Sequence, residues 1–258
     1  MFGFPEVPKE SIKRNFLKRV DIEFYYSDLK KLKESSENVW ALFRNEFPRF
    51  TNGKNSGIKL LLEDGNPNVK TIPETDNLIL KSKDGDLELI INQDHIKLSI
   101  DAENYDSFGK AIHPLKSKFA DLISILKIEN LSNPKLTKIN LLDYEYGGVS
   151  NANGVLESLL NDNIILKADS FPQMEKLIQN FHHLEFKEAD YILNLVYGMT
   201  ANSNDMAKRG QLVIELAMQK KTKVENSQIY VELEKMNDEM FNIFHWLINS
   251  RAKSILND

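Results

Sequence analysis

The sequence predicts an α+β fold in which two diverged β-α-(β meander)-α repeats form antiparallel sheet, with helices packed on one face and a pseudo-twofold relation between the repeats. Three observations predict it. Strand patterns of period two alternate along the chain with helical stripes of period 3.6. The same order of elements begins again after about 120 residues, as an internal duplication would require. Asp-Gly and related turns separate consecutive apolar strands, as a meander needs. The repeats are placed at 1–130 and 131–258, joined in one compact structural unit.

The first copy opens at Val20, Ile22, Phe24 and Tyr26, which alternate with Asp21, Glu23 and Tyr25 as in a half-buried strand. Leu29, Leu32, Val39, Trp40, Phe43 and Phe47 then line one stripe of a helix stopped by Pro48. Thr51 to Pro73 carries Asn-Gly, Ser-Gly, Asp-Gly and two prolines, so it reads as loop around a short apolar run, Ile58 to Leu62. Leu78 to Leu80 and Leu87 to Ile91 flank Lys83-Asp84-Gly85-Asp86, a hairpin signal. A reversal at Asn92-Gln93-Asp94 leads to Ile96, Leu98 and Ile100. Phe108, Ile112, Leu115, Phe119, Leu122, Ile123 and Leu126 share one face of a long helix, with a bend or a late helix start expected at Pro114.

The second copy starts with a strand from Leu136 to Tyr146 and a break at Gly147-Gly148. Short helices follow at Val155 to Leu160 and Phe171 to Phe181. Leu184 to Met199 and Gln211 to Met218 read as strands around the polar loop Thr200 to Gly210. A final helix carries Ile229, Leu233, Met236, Met240, Phe244, Leu247, Ile248 and Ile255 every three or four residues.

Composition bounds function. With 41% apolar residues in 258, the chain can build a real core. The absence of cysteine removes thiolate catalysis and Cys-based metal sites and fits a cytoplasmic location. Met1 to Pro8 lacks a basic start followed by an apolar run, so no signal peptide is expected, and no stretch approaches membrane-spanning length. A net charge of −5 argues against nucleic acid as the ligand, because such binding rests on neutralising phosphates. Lys9, Lys13, Arg14, Lys18, Arg19, Lys30, Lys31 and Lys33 are read as solvated surface.

No motif assigns a catalytic residue, a metal or a cofactor. The five histidines are not arranged as His-Glu-x-x-His, and neither a phosphate-binding glycine loop nor a Gly-x-Ser-x-Gly elbow occurs. The candidates for a ligand or partner are therefore polar clusters. Asp143, Tyr144, Glu145 and Tyr146 form one, with Asp143 and Glu145 on one face of a strand as two carboxylates of an acid–base pair would be. His182 and His183 are adjacent imidazoles expected at a helix end before Glu185, Glu188 and Asp190. Lys208 and Arg209 close a polar loop with Ser203, Asn204 and Asp205. Trp40 and Trp246 are expected in core packing or a partner groove.

Three segments together resemble a sporadically distributed bacterial protein family of about 260 residues and unknown function. They are Phe4-Pro5-Glu6-Val7-Pro8 with Lys13 to Leu17 and the strand Val20 to Phe24, then Leu136 to Tyr146, then Leu233 to Glu239 with Phe244-His245-Trp246-Leu247-Ile248. Phe16, Glu23 and Asn237 depart from the proline, arginine and histidine common in the family, which favours binding over catalysis. The patchy distribution implies a phage-defence, toxin–antitoxin or other mobile-cassette setting. The resulting expectation is a non-enzymatic protein–protein interaction subunit whose partner is encoded in the same operon. Self-association is open to it through edge strands or the last helix. The alternative is a small-molecule or nucleotide binder, hydrolytic or not, with a pocket between the repeats.

Overall fold

The computed structural model of the chain describes residues 1–8, 16–27, 29, 32–63, 66–102, 105, 107–145, 152–165, 179–201 and 209–257. In chain order its elements are β1 (Leu17–Tyr25), α1 (Ser36–Phe43), β2 (Arg49–Glu63), β3 (Asn66–Lys81), β4 (Leu87–Ile91), β5 (His95–Asp101), α2 (Phe108–Lys116) and α3 (Phe119–Leu126). Then come β6 (Leu131–Glu145), α4 (Ala152–Leu159), β7 (Gln179–Glu188), β8 (Tyr191–Ala201), β9 (Arg209–Lys220), β10 (Lys223–Val224), α5 (Ile229–Leu247) and α6 (Ser250–Asn257). The class is α+β, and the strands hydrogen-bond antiparallel in the order β2-β3-β4-β5-β1-β6-β9-β8-β7, with β10 on β6. Two compact units divide the chain. One comprises Asp21–Pro134 with Lys223–Ile229, and the other Met1–Val20, Lys135–Thr222 and Tyr230–Asp258.

In the first unit, Ile22, Phe24, Leu78, Leu80, Leu89, Ile91, Ile96 and Leu98 are buried with Val39, Phe43, Phe47, Ile112, Leu115 and Leu122 of the helices. Alternate strand positions supply one face and the helical stripes cover it, each such side chain contributing about 1.5–3 kcal/mol. The hairpin forms where Asp-Gly placed it. Gly85 takes φ 86, and the Ser82 hydroxyl accepts from the amides of Gly85 (3.1 Å) and Leu87 (3.0 Å) while donating to Asp86 Oδ1 (2.5 Å). Trp40, expected in core packing or a partner groove, is 39% exposed and stacks on Phe50.

Two expectations for this unit are corrected. The segment read as loop at Thr51 to Pro73 is a long hairpin, β2 against β3, in register from Arg49↔Lys81 to Glu63↔Asn66. Of its two prolines, Pro67 pairs with Leu62 beside the last pair before the turn, and Pro73 falls where the register shifts between Asn55↔Thr75 and Gly57↔Ile72, so no ladder bond is demanded of it. The single bent helix is two helices. Lys118 at the break donates to Leu42 O (2.7 Å) and Glu46 Oε2 (2.5 Å), and its amide takes the shorter i→i+3 bond to Leu115 O.

In the second unit, Leu136, Leu193, Leu195, Tyr197, Met199, Leu212, Ile214, Leu216 and Met218 form the strand side of the core. Val155, Leu159, Leu233, Met236, Met240, Ile243, Leu247, Ala252 and Leu256 form the helix side. The strand read from Leu184 to Met199 is instead the hairpin β7–β8, turned at Ala189-Asp190 with Ala189 at φ 47. Of the helix expected at Phe171 to Phe181, residues 179–181 lie in β7 and the rest fall outside the described residues. The final helix is interrupted at Asn249. Its Oδ1 caps α6 by accepting from Arg251 N (3.0 Å) and Ala252 N (3.1 Å), and its Nδ2 donates to Ser158 O and Leu160 O.

Candidate functional site

The β6–β9 ladder sets Asp143 opposite Gln211, Tyr144 opposite Gly210 and Glu145 opposite Arg209. The two carboxylate residues thus occupy alternate positions of one strand, and Arg209, expected in a loop, is the first residue of a strand beside them. Tyr146 and Lys208 lie outside the described residues, as does Gly147-Gly148.

His182 and His183 are not at a helix end. They are consecutive residues inside β7, paired with Tyr197 and Val196. Successive strand positions face opposite sides of a sheet, so the two imidazoles diverge and do not share a ligand. His182 lies on the helix-covered side, its ring 4.9 Å from that of Tyr197 at 13°, and burial lowers its pKa from the usual histidine value. His183 is exposed, with Nε2 3.2 Å from Asn194 Oδ1. Following the registers across, His182 stands in the row of Tyr197, Ile214 and Asn140. It is three strands from β6, about 14 Å at ordinary strand spacing, and three residues along from Asp143. The histidines and the Asp143–Glu145 segment are therefore separate features.

Two polar clusters were hidden in the sequence. On β1, Asp21 and Glu23 read as a solvent face, yet they are only 8% and 9% exposed. Lys97 of β5 reaches Asp21 Oδ2 at 3.1 Å, and Tyr25 donates to Glu23 Oε2 at 2.6 Å. The Tyr25 ring lies 5.5 Å from that of His95, whose Nδ1 is 2.7 Å from Asp94 Oδ1 and whose Nε2 is 2.7 Å from Asn92 Nδ2. Burial, then the bond to Glu23, raises the Tyr25 pKa well above the ordinary phenol value. Acids and donors here are matched within the chain, an arrangement that orders strands and does not ready a group for proton transfer to a substrate.

The second cluster joins Tyr191, Lys220 and Glu232. Tyr191 donates to Glu232 Oε1, and Lys220 Nζ lies 3.0 Å from Glu232 Oε2, 3.3 Å from Tyr191 Oη and 5.2 Å from the Tyr191 ring centre. Burial alone would raise the Glu232 pKa, but the bonds from Tyr191 and Lys220 and the lysine charge outweigh it and hold the carboxyl below its usual value. The cluster fastens the first turns of α5 to the β8–β9 pair.

The remaining feature is β7 itself. Among the described residues it pairs with β8 alone, ending the strand order. It is ten residues long, and it carries two of the exposed large apolar side chains, Phe181 at 39% and Phe186 at 42%. The Phe181 ring lies across Gly198, so close that a Cβ there would collide with it and with Asn180 O. Of the basic residues near the N-terminus, Lys18, Arg19 and Lys33 are exposed, and Lys9, Lys13, Arg14, Lys30 and Lys31 fall outside the described residues. Among the described residues, no helix is long and apolar enough to cross a membrane. No protein-family model matches the chain, and no curated protein matches it at a significant level.

Proposed function

We propose that the chain is a non-enzymatic protein–protein interaction subunit that docks through the β7 edge. The observation that carries this reading is an edge strand of ten residues bearing two exposed phenylalanines. A row of backbone donors and acceptors with apolar side chains attached is a template for strand addition, and a chain that keeps one has a use for it. Matching of the charged clusters within the chain supports a binding role over a catalytic one. The resemblance to a sporadically distributed bacterial family supplies the setting, a phage-defence, toxin–antitoxin or other mobile-cassette system with the partner encoded alongside.

The same reading includes an internal duplication. Its support is the order of elements, β1-α1-β2-β3-β4-β5-α2-α3 followed by β6-α4-β7-β8-β9-β10-α5-α6. In each half the opening strand pairs beside the last long strand of the meander, β1 with β5 and β6 with β9. A binding module grown by duplication presents two related meanders, of which the second offers β7.

The test is co-expression with the products of neighbouring genes, using the wild-type chain and a Phe181→Asp, Phe186→Asp variant that charges the exposed side chains of β7. Retention of a neighbour's product by wild type and its loss in the variant supports the proposal. Equal retention by both, or retention by neither, defeats it.

A further inference from the structure

We infer that the β7 edge is occupied by β7 of a second copy of this chain, antiparallel and centred on Leu184, giving a twofold dimer. The inference rests on the reading of β7 as an interface and names its occupant when no neighbour's product is bound, the two competing for the one edge.

A twofold axis normal to a sheet reverses strand direction and keeps each face. A residue of β7 then meets one of its own alternation class in the second copy. Two registers give the greatest overlap of the strand, one centred on His183 and one on Leu184. Centring on His183 places imidazole against imidazole, Glu185 against the Phe181 ring, and Phe186 against Asn180. That register sets a carboxylate on an aromatic face and leaves an apolar ring opposite an amide.

Centring on Leu184 gives complementary pairs on both faces. On one face Leu184 meets Leu184, and each His182 meets Phe186 of the second copy. Within each chain Leu184 pairs with Leu195, which is 2% exposed, and Phe186 pairs with Leu193, which is 0% exposed. The apolar row Leu195–Leu184 is thereby continued through its symmetry mate into the second core. The stacked pair His182–Tyr197 gains Phe186 as a third ring. On the other face each His183 meets Glu185, and each Lys187 meets the exposed Phe181 ring, a cation on an aromatic face. Charge complementarity selects this register, and both exposed phenylalanines acquire partners in it.

The chain has no cysteine, so single-cysteine variants report the register directly. Sedimentation of the wild-type full chain is expected to show a dimer. Under mild oxidation Leu184→Cys is expected to form a reductant-sensitive covalent dimer, because residue 184 faces itself at a spacing a disulfide can bridge. Lys187→Cys faces residue 181 and is expected not to crosslink. Leu184→Lys sets two ammonium groups against each other and is expected to lose the dimer while keeping the wild-type circular dichroism and a cooperative melt, its midpoint lowered by the lost association. A monomeric wild type, a crosslink from Lys187→Cys in place of Leu184→Cys, or a Leu184→Lys dimer would each overturn the inference. A monomer that still holds a neighbour's product through β7 would leave the interaction reading standing. A β7 dimer that holds no neighbour's product would leave this inference standing alone.

Discussion

Tyr191 and Glu232 are joined by a hydrogen bond between the start of β8 and the first turn of α5, and Lys220 closes the group at 3.0 Å from the other carboxylate oxygen. Glu232 is 6% exposed, so its charge is viable only while both donors are in place. Replacing Glu232 with Ala strands the lysine and is expected to cost about 3–5 kcal/mol in chemical denaturation, as for other broken buried pairs. The pH dependence follows from the depressed carboxyl. Its stabilisation is fully present above the unfolded carboxylate value and is lost as pH falls through the lower folded value. Wild type and Glu232→Gln are therefore expected to converge in stability in acid and to diverge at neutral pH. A gap that stays constant through the acid range would contradict this.

Asn249 is the second joint. Its oxygen caps α6 and its nitrogen serves two carbonyls at the end of α4. Asn249→Ala is expected to cost about 1–2 kcal/mol for the cap, with more for the carbonyls left without their donor. Asn249→Asp keeps the acceptor and loses the donor, so its denaturation midpoint is expected to lie between those of wild type and Asn249→Ala. An aspartate variant as unstable as the alanine one would show that the cap contributes nothing.

Gly198 is buried beneath Phe181, with no room for a Cβ beside that ring and Asn180 O. Gly198→Ala is expected to destabilise by about 1–3 kcal/mol, the usual cost of overpacking. Phe181→Ala in the same chain removes the ring and leaves the carbonyl, so the double variant is expected to recover part of the loss. Thermal melts of the two single variants and the double variant measure the coupling. Strict additivity would mean that the ring and the added methyl do not meet.

What the sequence made legible were the elements whose signal is local. Val20 to Tyr26 alternates over seven residues, and Asp84-Gly85 supplies the positive φ its turn needs. The β2–β3 hairpin was hidden because its glycines and prolines are loop residues by composition, and only the register shows Pro73 in an irregularity. The β7–β8 turn was hidden because Ala189, not glycine, takes the positive φ. At Asn249 the apolar spacing continues across the break, so periodicity alone joins α5 to α6. The polar clusters were illegible for a different reason. Lys97 comes to Asp21, and Glu232 to Tyr191, from far along the chain, and an alternating acid reads as solvent-facing until its partner is known.

The N-terminal residues give the last prediction. Phe2 N donates to Glu239 Oε1 at 2.6 Å, Val7 N donates to Asn242 Oδ1 at 3.1 Å, and the Phe4 ring meets Trp246 edge-on at 5.2 Å. Three contacts along α5 hold a segment that has no regular secondary structure of its own, and Phe4 is its apolar anchor. The chain has two tryptophans, so a Trp40→Phe background isolates the emission of Trp246. In that background Phe4→Ala is expected to shift the emission to longer wavelength and increase quenching by acrylamide, because water reaches the indole face that Phe4 covers. It is also expected to cost about 0.5–1.5 kcal/mol, the worth of an aromatic pair beyond the area it buries. Unchanged emission with an unchanged melt would mean that Phe4 does not shield Trp246 in solution.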